Sequence, residues 1–225
     1  MSMKPYFQDE FVTLFHGDCL QVTEWLSADV LVTDPPYGMA YLDRKGGSIA
    51  NDSSPFVRDN ALHAWGDKPA LVFGTWKVER PSKTKQVLVW DKWGGGGTVT
   101  QSTSPWDYTH EEIYVMGEWP KTVPGGRARE GGTPSKVSGV LRVPNYNTQS
   151  HDRPNHPTPK PTGLMELLIA KVPPGVIADP FAGSGATLLA ARNLGRKVIG
   201  VELEEKYCEI MAKRLSQQTF QFDLS

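Results

Sequence analysis

Val176-Ile177-Ala178-Asp179-Pro180-Phe181-Ala182-Gly183-Ser184-Gly185-Ala186-Thr187-Leu188-Leu189-Ala190-Ala191-Arg192, with Lys197-Val198-Ile199-Gly200-Val201-Glu202 just after it, decides the fold class. Val176 to Asp179 reads as a buried strand that ends on an acid and a proline. Ala182 to Gly185 is a tight turn, Ala186 to Arg192 a helix, and Lys197 to Val201 a second strand ending at Glu202. Glycines at a strand-to-helix turn let the backbone come close to a ligand. An acid closing the next strand, roughly 20 residues on, can accept hydrogen bonds from ribose hydroxyls. Phe181, Gly183, Ser184, Gly185 and Glu202 are therefore candidate nucleoside-cofactor residues, with Asp179 beside them. The pattern is a poor dinucleotide fingerprint, because its third glycine would fall at Leu188.

Outward from this unit the chain alternates strands and helices. Phe11 to Phe15 and Asp29 to Val32 read as strands, with a helix around Leu20 to Leu26 between them. Pro55 to Trp65 has helical spacing and opens on the cap residues Asp52-Ser53-Ser54 before a first-turn proline. Ala70 to Gly74, Gln86 to Trp90 and Glu111 to Met116 read as strands. Pro161 starts a helix that stops before Pro173-Pro174-Gly175, and a last helix runs from about Glu204 to Leu215. Such alternation predicts an α/β fold with an open, mostly parallel sheet covered on both faces.

Upstream, Thr33-Asp34-Pro35-Pro36-Tyr37-Gly38 closes the apolar run Val30-Leu31-Val32. Each proline fixes its own φ and offers no N–H, and each restrains the residue before it. Carbonyls here are held in set directions beside a carboxylate and a phenol. That suits a planar group with N–H donors at its edge and a π-face, such as an amino-bearing nucleobase.

The two segments together resemble the amino-group DNA methyltransferases that use S-adenosylmethionine. Asp34-Pro35-Pro36-Tyr37 is similar to their catalytic motif and Phe181-Ala182-Gly183-Ser184-Gly185 to their cofactor motif. His156-Pro157-Thr158-Pro159-Lys160-Pro161 resembles a third family segment, and His16-Gly17-Asp18-Cys19 resembles the opening of many members. With the catalytic motif first and the cofactor motif last, the chain is similar to the circularly permuted β class. The resemblance implies a Rossmann-like methyltransferase fold. The strand ending at Asp18 would lie beside that ending at Glu202, and the strand ending at Asp34 beside that ending at Asp179, at one ligand crevice.

The resemblance also implies roles. Asp34 and the Pro35 carbonyl would each accept one N–H of the substrate amine, freeing its lone pair for in-line attack on the sulfonium methyl. Pro36 shapes the loop, and Tyr37 would stack on a base flipped out of the duplex. Glu202 would hold the ribose, Asp18 and Cys19 would lie near the adenine end, Lys160 would pair with the methionine carboxylate, and Asp179 would accept from the methionine ammonium or serve as a turn cap. Asp at the first motif position resembles the adenine-N6 enzymes more than the cytosine-N4 ones. The alternatives are cytosine N4, an amine on RNA or on a protein glutamine, and an inactive DNA-binding module of the same fold.

The whole chain sets bounds. Its 225 residues suit a single domain over 1–225 with a real core, and 39% hydrophobic with 22% charged content is ordinary for a soluble protein. No apolar run reaches the ~20 residues of a membrane span. The start has no apolar signal core, and two cysteines, Cys19 and Cys208, fit a reducing cytoplasm. A net charge of −1 means that any DNA-binding charge is local. It is local at about 117–155, a Gly- and Pro-rich stretch expected to be an inserted target-recognition region, in which Arg127, Arg129, Lys136, Arg142 and Arg153 are candidate DNA contacts. His151 and His156 lack companions at metal-ligand spacing, so no metal is expected. Trp90, Trp93 and Trp106 are expected in the core rather than as base-stacking wedges. Duplex DNA is the expected partner, and the β-class resemblance makes a homodimer an expectation.

Overall fold

The apolar runs alternate their side chains between two buried faces, and that alternation builds the molecule. The computed structural model describes residues 3–41, 49–93, 106, 108–121, 127–128, 134–135, 137–146 and 153–222. Its main sheet contains β1 (Phe7–Gln8), β2 (Val12–His16), β3 (Val30–Thr33), β4 (Ala70–Gly74), β5 (Gln86–Asp91) and β6 (His110–Met116). A separate two-stranded ribbon pairs β7 (Arg127–Ala128) with β8 (Pro134–Ser135). The main sheet is completed by β9 (Val140–Arg142), β10 (Ile177–Asp179) and β11 (Val198–Glu202), in the order β1-β2-β11-β10-β3-β4-β6-β5-β9. Five of its eight pairings are parallel. The antiparallel ones join β1 to β2 and seat β6 between β4 and β5.

Val12, Leu14, Val30, Val32, Leu71, Phe73, Ile177 and Val198 face one side of the sheet. There they meet α2 (Thr162–Ile169), α3 (Ala186–Asn193) and α4 (Glu205–Phe222) through Leu164, Leu168, Leu188, Cys208 and Met211. Phe15, Leu31, Ala70, Val72, Tyr114, Ala178 and Val201 face the other side. That side is covered by α1 (Phe56–Trp65) and a short 3-10 turn, Glu24–Ser27, whose Trp25 stacks on Trp65 at 5.8 Å between ring centroids. Each fully buried Val, Leu, Ile or Phe contributes about 1.5–3 kcal/mol. A strand with both faces buried is therefore held in register, because a one-residue slip would exchange its two faces.

The α/β class and the strand placements follow the sequence. The strand beside Asp18 pairs with the strand ending at Glu202, with His16 opposite Glu202, and the strand before Asp34 pairs with that ending at Asp179. Several expectations are corrected. The helix around Leu20 to Leu26 is only the 3-10 turn, because Asp18 accepts from the amides of Leu20, Gln21 and Val22 in a tight turn first. Asp52 does not cap α1; it clamps the loop after the catalytic motif. The last helix continues to Phe222. The basic stretch is not wholly an insert, since β9 extends the main sheet beside β5 and Trp90 Nε1 donates to the Val143 carbonyl at 2.8 Å. Trp90 is buried as expected, whereas Trp93 and Trp106 are exposed, at 68% and 80%.

Candidate active site

Asp18, Glu202, Asp179 and Asp34 lie at or just beyond the C-terminal ends of four strands adjacent in the order β2-β11-β10-β3. Parallel pairing puts those ends on one edge, where open α/β sheets bind ligands. A concavity of about 420 Å³ between Phe7, Phe11 and Arg192 lies by the start of β2 and carries none of these groups.

The cofactor half is built around the turn between β10 and α3. Gly183 and Gly185 have φ of +51° and +85°, a backbone region costly to any residue with a Cβ. A Cβ on Gly185 would also strike Met211, and one on Gly183 would reach 3.2 Å from His156 Nε2. Glu202 faces the turn: Oε2 accepts from the Gly183 amide at 2.7 Å and Oε1 from the Glu204 amide at 2.8 Å. Burial raises its pKa above the ordinary carboxylate value, with the two amide bonds opposing. Each oxygen keeps a further lone pair, so the acid can hold the turn and still accept from a diol. The geometry fits a nucleoside at this turn.

The other expected cofactor residues are placed differently. Asp18 Oδ1 accepts from the Leu20 amide at 2.9 Å. Cys19 is buried against Trp25, whose Nε1 donates to the Cys19 carbonyl at 2.9 Å, and burial pushes its thiol to about 12. The Cys19 side chain is thus core. Asp179 is a buried turn cap: Oδ1 accepts from Thr33 Oγ1 at 2.6 Å and from the Phe181 amide at 3.2 Å. Burial raises its pKa to about 6 against the lowering bonds from Thr187, Thr33 and Phe181. Phe181 is half-buried on the face that also holds Val201. Ser184 is buried behind the turn. His156 leans on Tyr207 with 4.6 Å between ring centroids. Burial, then the nearby cations Lys160, Lys206 and Arg153, lower its pKa to about 4, so it is neutral.

The catalytic half is an ion cluster. Asp34 Oδ2 accepts from Lys160 Nζ at 2.6 Å and Oδ1 from the Tyr37 hydroxyl at 2.9 Å. Lys160 is 7% exposed and also lies 3.1 Å from Glu111 Oε2, which the Tyr37 hydroxyl approaches at 3.2 Å. Glu111 Oε1 pairs in turn with Lys92 at 2.6 Å. Burial raises the Asp34 pKa and Lys160 opposes the rise. For Glu111 burial also pushes up, but Lys160 and Lys92 win and hold it at about 2. Burial alone would lower Lys160, yet Asp34 and Glu111 raise it, so it stays charged. Tyr37 is pushed well above its usual value by burial and the two carboxylates, and stays protonated. The structure therefore places Lys160 on Asp34. Pro35 and Pro36 carry the chain away from β3, and Asp52, 4% exposed, holds the loop beyond them. Asp52 Oδ1 accepts from the Gly38 amide at 2.6 Å, and Oδ2 from the Tyr41 amide at 2.8 Å.

Sequence reasoning missed Glu111, Lys92, Thr33 and the clamp of Asp52. Glu111-Glu112 at the head of an otherwise apolar strand was the available signal. Two adjacent acids on a strand must face opposite sides, and Glu112 goes the other way, to Arg80 and Tyr114. Of the DNA-contact candidates, Arg129 and Lys136 lie outside the described residues, as does His151, and Arg127 is described only by its backbone in the β7–β8 ribbon. Arg142 is exposed and 3.5 Å from Asp91, while Arg153 donates to the Pro157 carbonyl at 3.1 Å, on the His156 loop. No cluster able to hold a metal occurs among the described residues, and no described helix is long and apolar enough to cross a membrane.

The chain is 27% identical over 257 residues to the type II methyltransferase M.ScaI of Streptomyces caespitosus, covering 96% of this chain and 84% of that one. Its fold matches the crystal structure of an M1.HpyAVI–SAM complex with a TM-score of 0.65 at 20% identity, over 91% of this chain and 98% of the other. It also matches the cytosine-N4-specific PvuII DNA methyltransferase with a TM-score of 0.61 at 17% identity, over 93% and 88%. The N6/N4 DNA methylase family model matches residues 65–213, from the end of α1 into α4, and this chain belongs to that family of DNA methyltransferases.

Proposed function

We propose that this protein transfers a methyl group from S-adenosylmethionine to the exocyclic N6 amine of adenine in duplex DNA, by base flipping and direct in-line transfer. The observation that carries the reading is the adjacency of β10 and β3. It sets the Gly183–Glu202 turn one strand away from the Asp34 carboxylate. The cofactor supplies the sulfonium methyl. Glu202 accepts its ribose hydroxyls while keeping the Gly183 amide. Asp34 and the Pro35 carbonyl would each accept a hydrogen bond from one amine N–H, which pulls the nitrogen toward its pyramidal, nucleophilic form. Tyr37 presents a ring whose plane is already set by its hydroxyl bonds to Asp34 and Glu111. The N–C bond forms as the C–S bond breaks, and the surplus amine proton leaves through Asp34 or water.

Adenine is preferred over cytosine because the motif opens on Asp34 rather than Ser. DNA would approach the same strand-end edge. There Trp76 is 53% exposed, 6.0 Å from the Tyr108 ring, and Lys77 Nζ sits 4.2 Å over Tyr108. An aromatic pair with a cation suits an unstacked base and its phosphate. Arg127, Arg129, Lys136 and Arg142 in the basic stretch would supply further phosphate or base contacts. The test is incubation with labelled S-adenosylmethionine and mixed duplex DNA, followed by nucleoside mass analysis. N6-methyladenine is expected; N4-methylcytosine without N6-methyladenine overturns the adenine assignment.

A further inference from the structure

Each oxygen of Asp34 already holds a donor in this cluster, so a substrate amine that engages it meets competition there. Oδ1 holds the Tyr37 hydroxyl and Oδ2 holds Lys160; Lys160 is buried and Asp34 is partly exposed. A lysine pushed off Asp34 by an incoming base would be a buried ammonium without a counter-ion, an unfavourable state. The structure provides the counter-ion: Glu111 lies 3.1 Å from Lys160 Nζ, and the Tyr37 hydroxyl bridges both carboxylates. Asp34 follows β3 and Glu111 lies on β6, with β4 between them, so two distant segments are brought to one lysine.

We propose that Glu111 is a positioning residue that takes over Lys160, and the Tyr37 hydroxyl with it, when the substrate amine engages Asp34. This rests on the reading of Asp34 as the acceptor of that amine. The handover moves no net charge, since Asp34 and Glu111 face Lys160 and Lys92. No bond is made or broken; Lys160 shifts from one carboxylate to the other and stays protonated. The remaining neighbours are the Phe73 and Tyr37 rings, 5.0 and 5.8 Å from Lys160, Asp179 on β10, which feels the charge of Asp34, and neutral His156. None of these offers Lys160 a second carboxylate at hydrogen-bond distance. Lys92 keeps Glu111 ionised and ready to receive it.

The experiment is single-turnover methyl transfer to duplex DNA against pH in the full chain, with cofactor affinity measured alongside. Glu111→Gln keeps an oxygen near Lys160 and removes the charge. It should leave cofactor affinity unchanged and slow the plateau rate roughly tenfold or more, as misplacement of a reacting group does. Its acid limb should move to lower pH, because a like charge facing Asp34 is gone and Lys160 stays on it. Glu111→Asp should recover part of the rate and keep the parent limb. Lys160→Met should move the limb the opposite way, to higher pH. The proposal is overturned by a Glu111→Gln rate equal to the parent, or by a slow rate with an unmoved limb and an equally slow Glu111→Asp. An unmoved limb in Lys160→Met overturns it as well, and that arm stands if Glu111→Gln does not fold. Full activity of Asp34→Ala would defeat the underlying reading instead. An inactive Asp34→Ala beside an unaffected Glu111→Gln defeats only the handover.

Discussion

Replacement of Glu202 by alanine tests the cofactor half at its most exposed assumption. In the free protein the Glu202 carboxylate accepts two amide bonds, from Gly183 at 2.7 Å and Glu204 at 2.8 Å, and the side chain is 8% exposed. Bonds to a charged acceptor contribute ~1.5–3 kcal/mol each. Water entering the vacated space satisfies part of that loss, so a destabilisation of about 1–3 kcal/mol is expected. Cofactor affinity suffers separately, because two ribose hydroxyls lose a charged acceptor. A loss of at least ~1.5 kcal/mol means roughly tenfold or more weaker binding. Glu202→Gln should fall between, since its amide nitrogen must face one of the two N–H donors it replaces an acceptor for. Isothermal calorimetry with S-adenosylmethionine, beside thermal unfolding of each variant, separates the two effects. A folded Glu202→Ala protein that binds with parental affinity would falsify the placement of the ribose.

Asp34→Ala should abolish transfer and leave cofactor binding largely in place, as read by labelled-methyl incorporation and calorimetry; retained transfer rejects the mechanism. Asp179→Asn should stabilise the fold at pH 8. Burial raises the native Asp179 pKa to about 6, so its ionised form costs stability above that pH and the protein gains stability as pH falls toward the unfolded value. The variant's advantage, on the order of 2–3 kcal/mol, should therefore shrink as pH drops below about 6. Equal or lower melting temperature at pH 8 contradicts this. Trp76→Ala should weaken DNA binding about tenfold with cofactor affinity unchanged, by loss of one stacking surface; parental DNA affinity removes that edge from the interface. Arg127→Ala, Arg129→Ala and Arg142→Ala should each reduce the salt slope of DNA affinity by ~0.9 if the residue touches a phosphate, and relax preference at one base pair if it reads a base. Variants that all match the parent on cognate and scrambled duplexes remove these three arginines from the DNA interface.

Local chemistry was legible wherever it is carried by neighbours in the chain. Val30 to Val32, Ile177 to Ala178 and Val198 to Val201 are short apolar runs that read as buried strands, and each is a strand, with Ile199 alone among them partly exposed. The positive φ at Gly183 and Gly185 was implicit in a strand-to-helix turn too tight for side chains. The failures have a physical pattern. Leu20 to Leu26 carries helical spacing, but the side chain and carbonyl of Asp18 take the first amides and leave only a 3-10 turn. Asp52 looked like a helix cap because its competing partners, the amides of Gly38, Met39 and Tyr41, lie upstream across a loop.

The sequence alone determined the class of sheet, the order of the motifs and the chemistry available at Asp34 and Glu202, because these depend on residue type and spacing within one strand and its following turn. Tertiary structure alone decided what each ionisable group faces. Lys160, which the family resemblance pairs with a cofactor carboxylate, has Asp34 and Glu111 brought to it by β3 and β6. Cys19, expected near the adenine end, packs its side chain into the core cluster that holds Trp25. Charge pairing falls off over a few ångströms, and which charges come that close is set by strand order, which hydrophobic periodicity does not encode.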